Sequence, residues 1–221
     1  MTKTSAGIYH FLVLSWYIFL SYYTQEQIKN NEKLKTVLRC GRWRYLMLFN
    51  LVAFLDDVLR IKGRKDIKII AAFGDLLFTV LAFPVTTFVF LTFWTMFLYD
   101  LDLIYPLPLH EIFPGWLNHA MHTLTLPLSL GEVILRPHRY PSKKTGLTLV
   151  FVAVIVYFIR ILWFYLKMGV WVYPVFAKLS PVGLAATFSL GYVVIASIYL
   201  LGEKLNRWKW GDGRQLREKR K

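Results

Sequence analysis

The sequence is poor in cysteine and in acidic residues. Cys40 is its single cysteine among 221 residues, which excludes an intrachain disulfide and a cysteine-based metal site. Asp and Glu number 13 against 27 Lys and Arg, so the formal net charge is +14. A basic excess can indicate nucleic-acid binding, but here the basic residues lie between and after apolar blocks, as they do in membrane proteins. We therefore expect no nucleic-acid partner.

Charged residues are also few, and apolar residues take their place. Charged residues make up 18% of the chain and hydrophobic residues 56%, whereas a soluble domain is about one quarter charged. The apolar residues form long blocks, which indicates helices that span a lipid bilayer. The sequence predicts an all-α, multi-pass transmembrane helix bundle. Residues 1–201 would form this single domain and residues 202–221 a basic cytoplasmic tail.

Six apolar blocks are candidates for spans. They cover residues 7–23, 45–55, 69–98, 116–135, 147–166 and 181–201. The second block has only 11 residues, whereas a spanning helix needs about 20, so the chain has five or six spans. Pro84 interrupts the third block and predicts a kink, because proline removes a backbone donor. From Arg60 onward the Lys and Arg residues alternate between loops, which predicts a cytoplasmic C-terminus.

Several polar side chains fall inside the apolar blocks. Such groups are costly in a bilayer, so they face the bundle interior and suggest a functional site. They are Asp75, Asn118, His119, His122, Glu132 and Arg160. Arg160 with either Asp75 or Glu132 would form an ion pair between helices.

Two histidines in the fourth block, His119 and His122, are spaced to share one helix face with Asn118. Three interpretations are open. The histidines could only make interhelical hydrogen bonds, or they could form half of a metal site, although a zinc or iron site needs further ligands. In the third interpretation, one histidine is a general base, since a buried neutral imidazole suits that role near pH 7.

Seven segments resemble the androgen-induced family of multi-pass membrane threonine hydrolases. They are "TKTSAGIYHFLVLSWY", "FLDDVL", "DLLFTVLAFPVTTFVF", "WLNHAMHT", "VILRPHRYPSKKTGLTL", "WVYPVFAKLS" and "SIYLLGEKLNRWKWGD". The resemblance covers nearly the whole chain and implies a six-span bundle. It also implies hydrolysis of fatty acid esters of hydroxy fatty acids, by a threonine in the second span and a histidine in the fourth, with neither cofactor nor metal.

The resemblance places the catalytic histidine at His122, with Asn118 and His119 as supporting residues. The family threonine falls two residues after Tyr45, where this chain has Met47. A thioether has no proton to lose and cannot form an acyl-enzyme ester. The segment between Asn50 and "FLDDVL" is also about nine residues shorter than the family pattern. These two departures leave a catalytically silent membrane regulator as the alternative function.

The resemblance also implies partners and a location. The substrate would be a membrane lipid in the surrounding bilayer. A functional link to tissue factor pathway inhibitor, and so to coagulation, is implied as well. We expect the chain in the cell membrane, with the endoplasmic reticulum as the alternative.

Overall fold

The computed structural model describes residues 3–30, 51–53, 58, 68–104 and 114–211. Met47 and Cys40 lie outside the described residues, as do most of the second apolar block and residues 212–221, the second half of the basic tail. The assignment of Met47 to the family's nucleophile position therefore stays a prediction.

The described residues form helices and no strand, so the all-α prediction is confirmed. A π-helical segment, Phe78–Ala82, joins α2 to α3, and a 3₁₀ turn follows at Leu101–Leu103. The α-helices are α1 Lys3–Asn30, α2 Lys68–Leu77, α3 Phe83–Tyr99, α4 Gly115–His122, α5 Thr125–Leu135, α6 Lys143–Met168, α7 Pro174–Ala177 and α8 Pro181–Trp210.

Three long apolar helices give the described part of the chain its membrane character. They cover Ile69–Tyr99, Lys143–Met168 and Pro181–Trp210, and each is long and apolar enough to cross a bilayer. In the most apolar part of α6 and of α8, only 11% of the residues are buried inside the protein, against 56% in Ile69–Tyr99. The helix through α2 and α3 is therefore the central one, and α6 and α8 leave apolar side chains for lipid.

A kink was predicted at Pro84, and the helix has a π-helical segment directly before this residue. Proline has no N–H, so Pro84 cannot donate a hydrogen bond to the carbonyl of Val80. Just before it, the Phe83 N–H donates to the Phe78 carbonyl, five residues back. Such segments widen an α-helix locally and often lie at functional sites. Phe78 and Ala82 of this segment line a small pocket.

The fourth apolar block forms two helices instead of one. Leu124 N–H donates to the His119 carbonyl, again five residues back, and residues 123–124 form a turn between α4 and α5. Pro127, in the first turn of α5, cannot donate to the carbonyl of Thr123, which explains why regular helix is interrupted here. The break places His122 at the end of α4 and Thr125 at the start of α5.

Two glycines allow α8 to pack closely against its neighbours. A Cβ atom on Gly202 would lie 2.7 Å from Phe83 of α3 and 2.8 Å from the Tyr140 hydroxyl. On α6, a Cβ atom on Gly146 would lie 1.9 Å from the hydroxyl of Tyr199 of α8. Real Cβ atoms do not come so close, so these helix contacts depend on the absence of a side chain.

Candidate functional site

A row of buried polar side chains runs along one face of α4 and α5. It consists of His122, Thr125, Ser129 and Glu132, none of which is more than 7% exposed. Thr125, Ser129 and Glu132 are spaced four and three residues apart, which places them on one face of α5, and His122 lies at the end of α4, before the turn at residues 123–124. This polar row is the centre of the candidate site.

The polar row packs against α3 in the antiparallel direction. The His122 ring stacks on the Phe93 ring, with centroids 3.8 Å apart and planes 7° from parallel. One heptad further along, the Thr86 hydroxyl donates to the Ser129 hydroxyl over 3.1 Å. His122 precedes Ser129 in sequence and Phe93 follows Thr86, so the two contacts occur in opposite order along the two helices. The row thus faces the interior of the bundle.

The contacts of His122 with Asn118 indicate the tautomer of its neutral ring. Its Nδ1 atom lies 2.8 Å from Asn118 Oδ1 and 3.2 Å from the Asn118 backbone oxygen. A backbone carbonyl can only accept, so Nδ1 carries the hydrogen in these contacts. In the neutral ring, Nε2 then holds the lone pair that a general base needs. Nε2 is thus the nitrogen of this ring that can accept a proton.

His119 does not join His122 in the interior. His119 is exposed, and its Nδ1 atom lies 3.0 Å from the Thr123 hydroxyl. Its ring also contacts Trp94 of α3, with centroids 5.4 Å apart. Of the two supporting residues expected from the sequence, Asn118 contacts His122 through its side chain and His119 has other partners.

A second cluster of ionisable groups lies at the far end of the polar row, around Glu132. Glu132 Oε2 is 2.8 Å from Nε2 of His10 on α1. Glu132 Oε1 is 3.2 Å from Nε2 of His138, an ion-pair distance without the geometry of a hydrogen bond. His138 Nδ1 in turn lies 3.0 Å from Oδ1 of Asp75 on α2. We call His10, Glu132, His138 and Asp75 the charge cluster.

Arg160 lies outside the charge cluster. It is exposed on α6 and forms no ion pair with Asp75 or Glu132, both of which the structure describes. The ion pair expected between Arg160 and a carboxylate is therefore replaced by histidine partners from α1 and from the segment after α5.

The sequence could have identified His10 as a member of the charge cluster, but it gave little indication of His138. His10 interrupts an apolar block, which is the same signal that singled out Glu132. His138 lies in the basic segment after α5, where a histidine is unremarkable. Its burial depends on a contact across the fold: Asn206 of α8 accepts from the His138 N–H and donates to the His138 carbonyl, at 3.0 and 2.9 Å.

The environment of His138 favours its charged form. Burial lowers the pKa of the imidazole, but the hydrogen bond with Asp75 and the negative charges of Asp75 and Glu132 outweigh burial, so the pKa of His138 is raised above its ordinary value of 6.5. The Phe78 ring stacks on the imidazole, with centroids 4.0 Å apart. Among the described residues, no group of three His, Cys, Asp or Glu side chains is placed to hold a metal ion.

The chain is similar to known proteins over most or all of its length. It is 64% identical to the human protein named Androgen-dependent TFPI-regulating protein, over 230 aligned positions that cover all of both chains. The mouse protein of that name is 57% identical and aligns with 96% of each chain. The human Androgen-induced gene 1 protein is 33% identical, over 81% of this chain and 82% of its own length. No solved structure matches the chain.

The alignment with the human relative spans 230 positions, whereas this chain has 221 residues, so nine positions have no counterpart in it. That number agrees with the shortening expected before "FLDDVL". The family model described as FAR-17a/AIG1-like protein matches residues 5–207, which include the polar row and the charge cluster. The resemblance found in the sequence is confirmed, and the chain belongs to the FAR-17a/AIG1-like family of membrane proteins.

Proposed function

We propose that this chain is a membrane-embedded hydrolase of lipid carboxylic esters, with His122 as its general base. The observation that carries the proposal is the buried imidazole of His122, whose Nδ1–H is directed at Asn118 so that Nε2 is the basic nitrogen. A positioned base of this kind contributes about 10²- to 10⁴-fold to a rate.

The surroundings of His122 favour a lipid substrate. The imidazole lies against the Phe93 ring, and the most apolar parts of α6 and α8 are little buried inside the protein. Fatty acid esters of hydroxy fatty acids combine long acyl chains with one ester group, and they are the substrate class that the family resemblance implies. Such a lipid would diffuse laterally into the bundle and present its ester carbonyl near the polar row.

A second candidate function follows from Met47. A methionine in the family's nucleophile position cannot form an acyl-enzyme, so the chain would act by binding partners and not by catalysis. The relatives' name refers to regulation of TFPI, which makes tissue factor pathway inhibitor, and with it coagulation at the cell membrane, the context for such a regulator. The eight Lys and Arg residues between 202 and 221 would hold the tail to anionic lipid.

Hydrolysis of a branched fatty acid ester of a hydroxy fatty acid separates the two candidates. Membranes that carry the unaltered chain are assayed beside membranes that carry Met47→Thr at equal expression. Activity of the unaltered chain supports the hydrolase. Activity of Met47→Thr alone identifies a silent regulator on an intact hydrolase scaffold, and the hydrolase proposal for this chain then fails.

A further inference from the structure

A single charged residue, Arg160, lies on the apolar outer face of α6. It is exposed, and it is the one charged residue between Phe151 and Leu166. Among the described residues no carboxylate pairs with it, since Asp75 and Glu132 face histidines. The exposed apolar residues that share its face are Val152, Ile155, Val156, Ile159, Trp163 and Leu166.

The packing of α6 against α8 shows the level at which Arg160 lies. The Phe151 ring contacts Tyr192, with centroids 5.3 Å apart, and the Phe158 ring contacts Phe188, with centroids 4.2 Å apart. The two contacts occur in opposite order along the two helices, so α6 and α8 are antiparallel. Arg160 comes two residues after Phe158, which places it level with about residue 186 of α8.

The water boundary of the bilayer is close to that level. Residue 186 is five residues into α8, which is about 7.5 Å along its axis. An ion pair between Lys178 and Asp100, 3.8 Å apart and partly exposed, comes just before the start of α8. A charge inside the hydrocarbon is costly, but the long arginine side chain can extend to the boundary. Arg160 therefore holds its charge just inside the bilayer surface.

The next turns of α6 beyond Arg160 carry Trp163 and Lys167. The Lys167 Nζ atom lies 4.6 Å from the centre of the Trp163 ring, a cation–π contact. Tryptophan is enriched where lipid meets water, so Trp163 also places the boundary about one turn beyond Arg160. The charge of Lys167 thus has an aromatic partner, whereas the guanidinium of Arg160 is open to an anion from the lipid.

A carboxylate fits this position better than a phosphate does. The planar guanidinium can donate two parallel hydrogen bonds to a carboxylate. The carboxylate of a fatty acid is attached directly to its acyl chain and so lies at the edge of the hydrocarbon. The phosphate of a phospholipid is separated from its acyl chains by glycerol and lies farther out. Since Arg160 is inside the boundary, its depth favours the carboxylate.

We propose that Arg160 binds the carboxylate of a long-chain fatty acid at the bilayer surface, with the acyl chain along the apolar face of α6. From Arg160 back to Val152 this face is about 12 Å long, which accommodates much of an acyl chain. The site does not depend on catalysis. The ester of the proposed function has a free carboxylate, and both of its products have one, so their docking here would rest on that function.

The test uses the full-length chain in phosphatidylcholine nanodiscs, at a pH where fatty acids are ionised. The probe is palmitic acid with a photoreactive diazirine in its chain, and peptide mass spectrometry measures the label on α6. We expect Arg160→Gln to lower that label at least about tenfold, as loss of a charge-assisted hydrogen bond does. Arg139→Gln, which changes an exposed arginine outside this face, should keep the full label.

The methyl ester of the same probe, which has no carboxylate, should label α6 of the unaltered chain at least about tenfold less than the acid does. Equal labelling by the acid and its methyl ester would overturn the proposal without any variant, and so would equal labelling of the unaltered chain and Arg160→Gln. Displacement of the label by phosphatidylglycerol, which offers a phosphate and no carboxylate, would overturn the choice of a fatty acid.

Hydrolysis of the branched ester by the same nanodiscs separates this site from the proposed function. A chain that is labelled at α6 through Arg160 but does not hydrolyse the ester would keep the fatty acid site, and the hydrolase would fail. A chain that hydrolyses the ester but whose label on α6 does not depend on Arg160 would keep the hydrolase, and the fatty acid site would be wrong.

Discussion

At the scale of single residues, His122 and Asn118 illustrate what a sequence can specify about a site. Both lie on α4, and helical spacing alone predicts that residues four apart are neighbours. The direction of the contact, Nδ1 towards Asn118, is settled only by the rotamer. His119 was equally eligible by spacing, but it lies at the surface. Helical spacing therefore predicted which residues are neighbours on α4. It did not predict which of the two histidines is buried.

Asn118→Ala tests how far Asn118 orients His122. We expect kcat for the branched ester to fall to a value between that of the unaltered chain and that of His122→Ala, because the Asn118 backbone oxygen would still accept from Nδ1. His119→Ala is the matched control, and its rate should not change. An Asn118→Ala rate equal to that of the unaltered chain would show that the side-chain contact has no part in catalysis.

At the scale of helices, the apolar blocks predicted where helices lie but not how each is interrupted. Residues 69–98 were expected to form one kinked span, and they fall in α2, the π-helical segment and α3. Residues 116–135 were expected to form one span, and they are divided by the turn at residues 123–124. In each case a proline lies near the irregularity. Whether the backbone then forms a kink, a π-helical segment or a turn depends on the packing around the proline.

Gly202→Ala tests the close contact of α8 with α3. The added Cβ would lie 2.7 Å from Phe83, and overpacking of this kind typically costs about 1–3 kcal/mol. We expect a lower thermal unfolding midpoint in detergent micelles. Gly191→Ala on the same helix is the control, because its Cβ would lie 3.7 Å from Phe88, an ordinary contact. Equal midpoints for the two variants would mean that α8 does not pack as described.

At the scale of the whole molecule, the charge cluster joins parts of the chain that are far apart in sequence. His10, Asp75, Glu132 and His138 come from α1, α2, α5 and the segment after α5. The sequence predicted an ion pair of Arg160 with either Asp75 or Glu132, because buried charges are paired. It did not identify the partners, since contacts such as the one between His10 and Glu132 span more than a hundred residues and follow from tertiary packing alone.

The charge cluster predicts how stability depends on pH. Asp75 and Glu132 raise the pKa of His138 above 6.5 in the folded protein, so the folded state holds this proton more tightly than the unfolded chain does. The stabilisation is complete below pH 6.5 and is lost as the pH rises through the raised pKa. We expect the thermal midpoint in micelles to fall as the pH rises above 6.5.

His138→Gln should weaken that dependence on pH. His119→Gln, which changes an exposed imidazole bonded to Thr123, should leave the dependence as it is in the unaltered chain. A thermal midpoint that rises with pH in this range, or one that falls equally in His138→Gln, would contradict the role given to His138.

The most direct test of the account is the rate at which the purified chain in lipid vesicles releases hydroxy fatty acid from a branched ester. The unaltered chain is compared with His122→Ala at equal amounts of folded protein, with His119→Ala as the control. We predict that His122→Ala loses about 10²- to 10⁴-fold in kcat, the usual contribution of a general base, while His119→Ala keeps the full rate. Equal rates for the unaltered chain and His122→Ala would contradict the assignment of His122 as the catalytic base.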